Sequence, residues 1–178
     1  MAHKADEMIR RIAVTGPEST GKSMLAEQLA DHFHTTWVPE FAREYLEKLG
    51  RPYEEPDILL IAKGQMEREE SQMKQAVKFL FCDTELLVTK IWSEVKYNRC
   101  DSWILESLET HHYDLYLLCD IDLPWQYDPL REHPNMRKYL YDLYFNELND
   151  RGFCFAVISG TGPDRLQCAL KTIENFPF

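Results

Sequence analysis

Five short apolar runs, separated by longer polar segments, mark this chain of 178 residues. Each run is nearly continuous in apolar residues, which is typical of strands buried on both faces of a parallel sheet. Turn-forming or acidic residues follow each of them. The predicted strands are Arg11–Thr15, Thr35–Val38, Lys78–Cys82, Leu115–Cys119 and Phe153–Ile158.

The segments between these runs have helical periodicity. After the first run, for example, Leu25, Leu29 and Phe33 form one apolar stripe. Alternating strands and helices predict an α/β fold with three layers and right-handed crossovers. The length suits a single domain over residues 1–178. The predicted helices are Gly21–His32, Phe41–Leu49, Pro56 to about Val77, Glu85–Lys96, Ser102–Thr110, Arg137–Asn149 and Asp164–Asn175.

A phosphate-binding motif lies between the first predicted strand and the first predicted helix. The residues Gly16–Ser23 read GPESTGKS, with the spacing G-x-x-x-x-G-K-[ST]. The two glycines allow successive backbone N–H groups to face a phosphate, and the start of the helix adds its positive end. Lys22 is predicted to reach the β- and γ-phosphates of a nucleoside triphosphate, and Ser23 to bind Mg²⁺. The predicted nucleotide-binding residues are Gly16, Pro17, Glu18, Ser19, Thr20, Gly21, Lys22, Ser23 and Met24.

Carboxylates follow three of the predicted strands. Glu40 follows the second, Asp83 and Glu85 follow the third, and Asp120 and Asp122 follow the fourth. In an open α/β sheet, ligands bind beyond the carboxyl ends of the strands. Asp83 has the position of a Walker B acid, directly after an apolar run. It is predicted either to hold Mg²⁺ or to accept a proton from an attacking hydroxyl.

Residues 123–137, which we call the lid segment, are irregular and basic. Their sequence, LPWQYDPLREHPNMR, contains three prolines, two aromatic rings and two spaced arginines, Arg131 and Arg137. In a kinase of small molecules, a segment at this place closes over the nucleotide. We therefore predict that both arginines neutralise charge on the phosphoryl group in transfer.

Composition narrows the classes of partner. The formal net charge of −10 disfavours nucleic acids and anionic membranes as partners, whereas it suits a neutral or cationic second substrate. The five scattered cysteines favour reduced thiols, with Cys82, Cys119 and Cys154 expected in the core because they lie in apolar runs. The sequence has no signal-peptide pattern and no run that approaches the ~18 apolar residues of a membrane span. A cytoplasmic protein is therefore expected.

Four stretches of the chain, in order, resemble the ribosylnicotinamide kinase domain of the NadR family. They are GPESTGKS, VPEFAREYL, FCDTELLVTKIWSE and YDLYLLCDIDLPWQYDPLR. The resemblance implies a nucleoside-monophosphate-kinase-like P-loop fold, with a five-stranded parallel sheet and helices on both faces. It also implies phosphorylation of nicotinamide riboside at its 5′-hydroxyl by ATP and Mg²⁺, which gives nicotinamide mononucleotide. NadR proteins carry an adenylyltransferase domain ahead of the kinase, and Met1–Arg10 is too short for one, so a free-standing kinase domain is expected.

The resemblance also suggests roles for individual residues. The general base stays open between Asp83 and Glu40, with Asp83 slightly preferred, and both form part of the predicted catalytic set Lys22, Asp83, Glu40, Arg131 and Arg137. Ser23 and Asp83 are the predicted metal ligands. The cationic pyridinium ring of the riboside suits carboxylates and aromatic faces. The predicted substrate-binding residues are Glu40, Arg43, Asp83, Glu85, Trp92 and Trp125.

Some alternatives remain open from the sequence. One is a kinase of another nucleoside or small metabolite, and another is a nucleotide-binding regulatory module that has no acceptor. The lid arginines and the acidic strand ends favour a kinase, because a regulatory switch needs no acceptor pocket. The turn at residues 159–163 is predicted to contact the nucleotide base. One or two of five aromatic residues are expected in the acceptor pocket: Trp37, Tyr45, Trp92, Tyr97 and Trp125.

Overall fold

A computed structural model describes residues 8–178 of the chain. Within these residues, a five-stranded sheet has the order β2-β3-β1-β4-β5, and every pair of neighbouring strands is parallel. The sequence prediction of a five-stranded parallel sheet is confirmed. The strands are β1 (Arg10–Thr15), β2 (Trp37–Val38), β3 (Phe79–Asp83), β4 (Leu115–Cys119) and β5 (Phe155–Ile158).

Helices cover both faces of the sheet. Because side chains alternate along a strand, Phe79 and Phe81 of β3 face one layer, whereas Leu80 and Cys82 face the other. The first layer contains α1 and α7, and the second contains α3, α4, α5 and α6. The helices of the described residues are α1 (Lys22–Phe33), α2 (Phe41–Leu49), α3 (Glu55–Met73), α4 (Leu86–Tyr97), α5 (Ser102–Thr110), α6 (Arg137–Asp150) and α7 (Pro163–Asn175).

Some boundaries differ from those predicted. Strand β2 has two residues, because Thr35 uses its hydroxyl to bridge to the neighbouring strand: Oγ1 donates to the Phe79 carbonyl (2.6 Å) and accepts from the Val77 N–H (2.8 Å). Helix α3 ends at Met73, before a turn that leads into β3. The prediction that Cys154 is a core residue is wrong. It precedes the first residue of β5 and is exposed, whereas Cys82 and Cys119 are buried as predicted.

The parallel arrangement brings several loops to one edge of the sheet. The carboxyl ends of β1, β2, β3 and β4 all open on this edge, so the phosphate-binding motif and the acidic strand ends become neighbours. Among residues 8–178, no helix combines the length and apolarity that crossing a bilayer would require.

Candidate active site

The loop between β1 and α1 curls as the motif predicts. Gly16, Ser19 and Gly21 all have positive φ angles, of 129°, 57° and 76°. At Gly16 a side chain would also meet the neighbouring strand, since an added Cβ would lie 3.0 Å from the Cys119 carbonyl oxygen. Helix α1 begins at Lys22, so its first free N–H groups point into the loop. The loop is thus built to hold an anion.

Two side chains of the motif hold the loop together. Both the Thr20 hydroxyl (2.8 Å) and the Lys22 ammonium (2.7 Å) donate to the Pro17 carbonyl oxygen. Lys22 therefore lies over the loop, close to where a bound phosphate would lie. Its long flexible stem allows the ammonium to exchange this carbonyl for phosphate oxygens.

Asp83 and Ser23 meet where the motif faces β3. The Ser23 hydroxyl donates to Asp83 Oδ2 at 2.5 Å, and the Asp83 side chain is almost completely buried. Burial, followed by the charge of Glu40, raises the pKa of Asp83 to about 6, against opposing effects of the Ser23 hydrogen bond and the Lys22 charge. The structure therefore brings together the two predicted metal ligands, and it places the carboxylate where it is poorly solvated.

The structure does not bring Glu85 to a ligand-facing position. Its carboxylate caps α4 by accepting from the Leu87 N–H (2.6 Å), and it also accepts from the Thr15 hydroxyl (2.8 Å). The side chain is completely buried, and this burial raises its pKa to about 7. The chain turns at Thr84, which has a φ of 67°, and Glu85 is not among the residues that line the cleft described below, so the prediction that Glu85 binds substrate receives no support from its contacts.

One continuous cleft of about 770 Å³ connects the phosphate loop with a second wall. This acceptor wall is formed by the start of α2, the loop before α3, and α4. Glu40 and Arg43 lie on it, together with Trp92. The Arg43 guanidinium donates to Asp128 of the lid segment (2.9 Å), so its charge is paired.

Trp92 of α4 and Tyr53 of the α2–α3 loop form an aromatic pair on the acceptor wall. Their rings meet edge to face with centroids 4.9 Å apart, and the indole N–H donates to the Tyr53 hydroxyl (2.9 Å). Tyr53 was missed from the sequence, because an isolated tyrosine in a polar loop carries no periodic signal. The pair supplies apolar area next to a polar edge, which suits a flat ring.

The other four aromatic candidates have different surroundings. Trp37 packs against the α1 and α7 layer, and Tyr97 packs against the opposite layer. The Tyr45 hydroxyl donates to Asp57 (2.7 Å). Trp125 lies on the lid segment, with the Arg131 guanidinium 6.0 Å from its ring centroid. The prediction that Trp125 binds substrate therefore receives no support from its contacts.

The lid segment lies against the phosphate loop and presents both predicted arginines to it. Arg131 Nη1 lies 3.3 Å from the Ser19 hydroxyl, and Arg137 Nη2 donates to the Ser19 carbonyl (3.2 Å). Within the described part of the chain, Arg137 Nε is buried without a hydrogen-bond partner. Burial, and then the positive charge of Arg131, lower the pKa of Arg137. The positive charges of Arg131 and Arg137, both held against the phosphate loop, favour an anion at this place.

A protein-family profile described as "AAA domain" matches residues 11–165. The chain belongs to this AAA domain family. Among curated proteins, the trifunctional NAD biosynthesis/regulator protein NadR of Escherichia coli (strain K12) is 30% identical over 129 residues, which are 69% of this chain and 31% of that protein. The chain thus spans about a third of the length of the curated relatives it matches. The resemblance to NadR found in the sequence is confirmed.

Solved structures share the fold of this AAA domain. A NadR protein in complex with NR has a TM-score of 0.81 at 18% identity, over 93% of this chain and 51% of that one. A NadR protein in complex with NAD and AMP-PNP has a TM-score of 0.79 at the same identity, with 93% and 49% covered. Thymidylate kinase from Ehrlichia chaffeensis has a TM-score of 0.64 at 17% identity, with 93% and 97% covered. The predicted P-loop nucleoside-monophosphate-kinase-like fold is confirmed.

The acids after β4 have a structural role in this AAA domain. Asp120 accepts from the Ser159 hydroxyl (2.9 Å), Asp122 accepts from the Gly160 N–H (2.5 Å), and Asp122 also pairs with Arg165 of α7. Arg165 is buried and donates to the carbonyl oxygens of Ile158 (3.2 Å) and Gly160 (2.9 Å). These contacts fix the turn at residues 159–163, whose Gly162 lies on the cleft wall.

The residues of the cleft fit a nucleoside triphosphate with Mg²⁺. The fit rests on the curled loop and on the Lys22 ammonium and the Arg131 guanidinium, which both belong to residues that line the cleft. Within residues 8–178 there is no cluster of three or more His, Cys, Asp or Glu side chains arranged to hold a metal. Mg²⁺ in kinase sites is commonly held by one or two side chains together with substrate phosphates. Ser23 and Asp83 could provide such a pair.

Proposed function

We propose that this AAA domain is an ATP-dependent nucleoside kinase that phosphorylates nicotinamide riboside at its 5′-hydroxyl, giving nicotinamide mononucleotide. The observation that carries the proposal is the single cleft that joins the phosphate loop to the acceptor wall. A binding module for a nucleotide alone needs only the loop. Here the cleft continues past Glu40 to the aromatic pair of Tyr53 and Trp92.

The charges of the acceptor wall favour an acceptor without a phosphate. Arg43 pairs with Asp128 (2.9 Å), Arg51 with Asp57 (2.8 Å) and Lys96 with Glu132 (2.9 Å). A nucleotide acceptor would require cations for its own phosphate, whereas these cations are already engaged by carboxylates. Glu40 adds a negative charge to the wall. A neutral or cationic riboside therefore fits better than a nucleoside monophosphate.

The relatives support the choice of riboside. The curated proteins that this chain resembles act in NAD biosynthesis and its regulation, and a NadR protein of the same fold was solved in complex with NR. A pyridinium ring is flat and cationic, so it gains from an aromatic face and from a nearby carboxylate. Trp92 and Tyr53 offer the aromatic face and Glu40 the carboxylate, and all three line the same cleft.

The proposed chemistry is an in-line phosphoryl transfer. The riboside 5′-oxygen forms a bond to the γ-phosphorus while the bond from that phosphorus to the bridging oxygen breaks, and the electron pair of the broken bond leaves with ADP. Lys22, Arg131 and Arg137 neutralise charge around the transferred group. Ser23 and Asp83 would hold Mg²⁺, which would supply further charge neutralisation on the phosphates when bound.

We assign the proton acceptor to Glu40, although the sequence slightly preferred Asp83. Asp83 is buried behind Ser23, which donates to one of its oxygens at 2.5 Å, so it is placed to serve the metal. Glu40 is partly exposed on the wall of the cleft, where a riboside hydroxyl can reach it. The 5′-hydroxyl proton would therefore pass to the Glu40 carboxylate.

Replacing Glu40 by Gln should lower kcat about a hundredfold and leave the KM for ATP nearly unchanged. This is the low end of the general-base range, because a loose phosphoryl-transfer transition state demands little from the base. Steady-state kinetics with saturating riboside measure both parameters. Glu47→Gln, on the exposed side of the same helix, is the matched control and should behave as wild type. If Glu40→Gln turns over at the wild-type rate, Glu40 is not the proton acceptor, and the role is assigned to Asp83.

A panel of acceptors tests the proposed function. ATP consumption is measured with nicotinamide riboside, nicotinate riboside, thymidine, adenosine and thymidine monophosphate, with mass detection of each product. We expect the largest kcat/KM with nicotinamide riboside and no turnover of the monophosphate. Preference for the monophosphate would make the protein a nucleotide kinase. ATP consumption that none of these acceptors stimulates would indicate a nucleotide-binding regulatory module that has no acceptor.

A further inference from the structure

The phosphate loop itself holds the lid segment through Glu18. This residue is the second variable position of the motif, and its carboxylate bridges two consecutive backbone amides of the lid segment. The N–H of Glu132 donates to Oε1 at 3.1 Å, and the N–H of His133 donates to Oε2, also at 3.1 Å. Each carboxylate oxygen therefore has its own backbone donor.

The negative charge of Glu18 is unfavourable for binding phosphate, and its contact with the lid segment offsets that effect. A carboxylate in a loop that binds phosphate repels the ligand, so nucleotide binding alone favours a neutral residue at this position. The repulsion is reduced when the carboxylate is engaged by donors, since charge-assisted hydrogen bonds to backbone N–H groups are strong. The two lid amides provide this engagement.

The same lid residue reaches the acceptor wall with its side chain. Glu132 accepts from the Tyr53 hydroxyl (2.5 Å) and from the Lys96 ammonium (2.9 Å). Burial alone would raise the pKa of Glu132, but these two hydrogen bonds and the Lys96 charge lower it, so its ionised form is favoured. Residue 132 is thus held at its backbone by the phosphate loop and at its side chain by the acceptor wall.

We infer that Glu18 is a positioning residue that fixes the lid segment so that Arg131 stays beside the phosphate loop. The expected effect on the rate rests on the proposed function, whereas the contact between Glu18 and the lid segment is independent of it. Arg131 directly precedes the two amides held by Glu18, and its Nη1 lies 3.3 Å from Ser19 Oγ and 2.5 Å from the Gln126 carbonyl. Release of the amides would let the guanidinium move, and small displacements of a catalytic cation cost large factors in rate.

The test uses Glu18→Ala and Glu18→Gln. Alanine removes both acceptors, whereas glutamine keeps one acceptor oxygen and places an NH₂ group against the other amide. Rapid-mixing hydrogen–deuterium exchange of a peptide that covers residues 131–137 reports the two amides. We expect exchange at these amides to become about tenfold faster in Glu18→Ala and to be intermediate in Glu18→Gln. Glu27→Ala, an exposed residue of α1, is the control and should leave both exchange and kinetics unchanged.

Kinetics separate positioning from simple loss of structure. For Glu18→Ala we expect kcat to fall at least tenfold, while the KM for ATP stays constant or decreases because a repulsive charge has been removed. Glu18→Gln should recover part of the lost kcat. Unchanged exchange at residues 132 and 133, or faster exchange with wild-type kcat, would overturn the inference. The two proposals can fail separately, because the exchange experiment needs no acceptor. If no riboside in the acceptor panel is phosphorylated, the proposed function is refuted. The exchange rates still show whether Glu18 holds the two lid amides.

Discussion

Replacing Lys22 by alanine should lower kcat/KM for riboside phosphorylation about a thousandfold without unfolding the protein. Loss of one preorganised donor to the transition state costs about 3–4 kcal/mol. The ammonium lies over the phosphate loop, on the Pro17 carbonyl, and carries the full positive charge nearest to the start of α1. Thr20 donates to the same carbonyl, so the loop keeps one of its two internal contacts. Initial rates at varied ATP and a thermal melt measure the two effects.

Lys171→Ala is the matched control for this prediction. Lys171 is exposed on α7, far along the chain from the loop, so its removal changes the net charge by the same amount. We expect its rates to match those of wild type. A folded Lys22→Ala variant with rates close to wild type would show that the ammonium does not contact the phosphates during transfer.

Replacing Asp83 by asparagine should abolish most activity and at the same time stabilise the protein at neutral pH. The pKa of Asp83 is raised from its ordinary value of 3.8 to about 6. Because the pKa is raised, ionisation of Asp83 destabilises the folded state. The contribution of the protonated carboxyl to the free energy of unfolding is fully present below about pH 4, and it is lost as the pH rises through about 6. Asparagine is never ionised. At pH 8 it should therefore gain about 2–3 kcal/mol in the free energy of unfolding, since one pKa unit is worth about 1.4 kcal/mol.

Urea unfolding between pH 3.5 and pH 8, in the absence of Mg²⁺ and nucleotide, measures this gain. It should become small near pH 3.5, where Asp83 is mostly protonated in both states. Asp31→Asn, an exposed aspartate of α1, is the control and should show no such pH dependence. The loss of activity should be about a thousandfold, because the amide binds Mg²⁺ less well than a carboxylate. An active variant, or one whose stability follows wild type at every pH, would contradict the role assigned to Asp83.

Much of the fold follows from local patterns. The strands and helices of this α/β sheet are encoded by apolar runs and by helical periodicity, and the phosphate loop by the positions of its glycines. Strand β2 was predicted too long, because a threonine hydroxyl at Thr35 replaces ladder hydrogen bonds, and the pattern of apolar residues cannot indicate that.

The site was less predictable wherever it depends on how the chain turns after a strand. Asp83 and Glu85 are two residues apart, so a strand that continued would put both on one face. The chain turns at Thr84 instead, and only Asp83 meets Ser23. Tyr53 pairs with Trp92, which lies 39 positions further along the chain. Glu18 holds the amide of Glu132, which lies 114 positions further along. Such contacts have no signature in a single sequence.

Transfer of a labelled γ-phosphate tests the central claim most directly. The protein is mixed with γ-³²P-ATP, Mg²⁺ and nicotinamide riboside, and the products are separated. We predict that the label appears on the riboside 5′-oxygen in proportion to the ADP formed, and that Lys22→Ala slows this transfer about a thousandfold. Label found only in inorganic phosphate, or left in ATP whatever riboside is added, would contradict it.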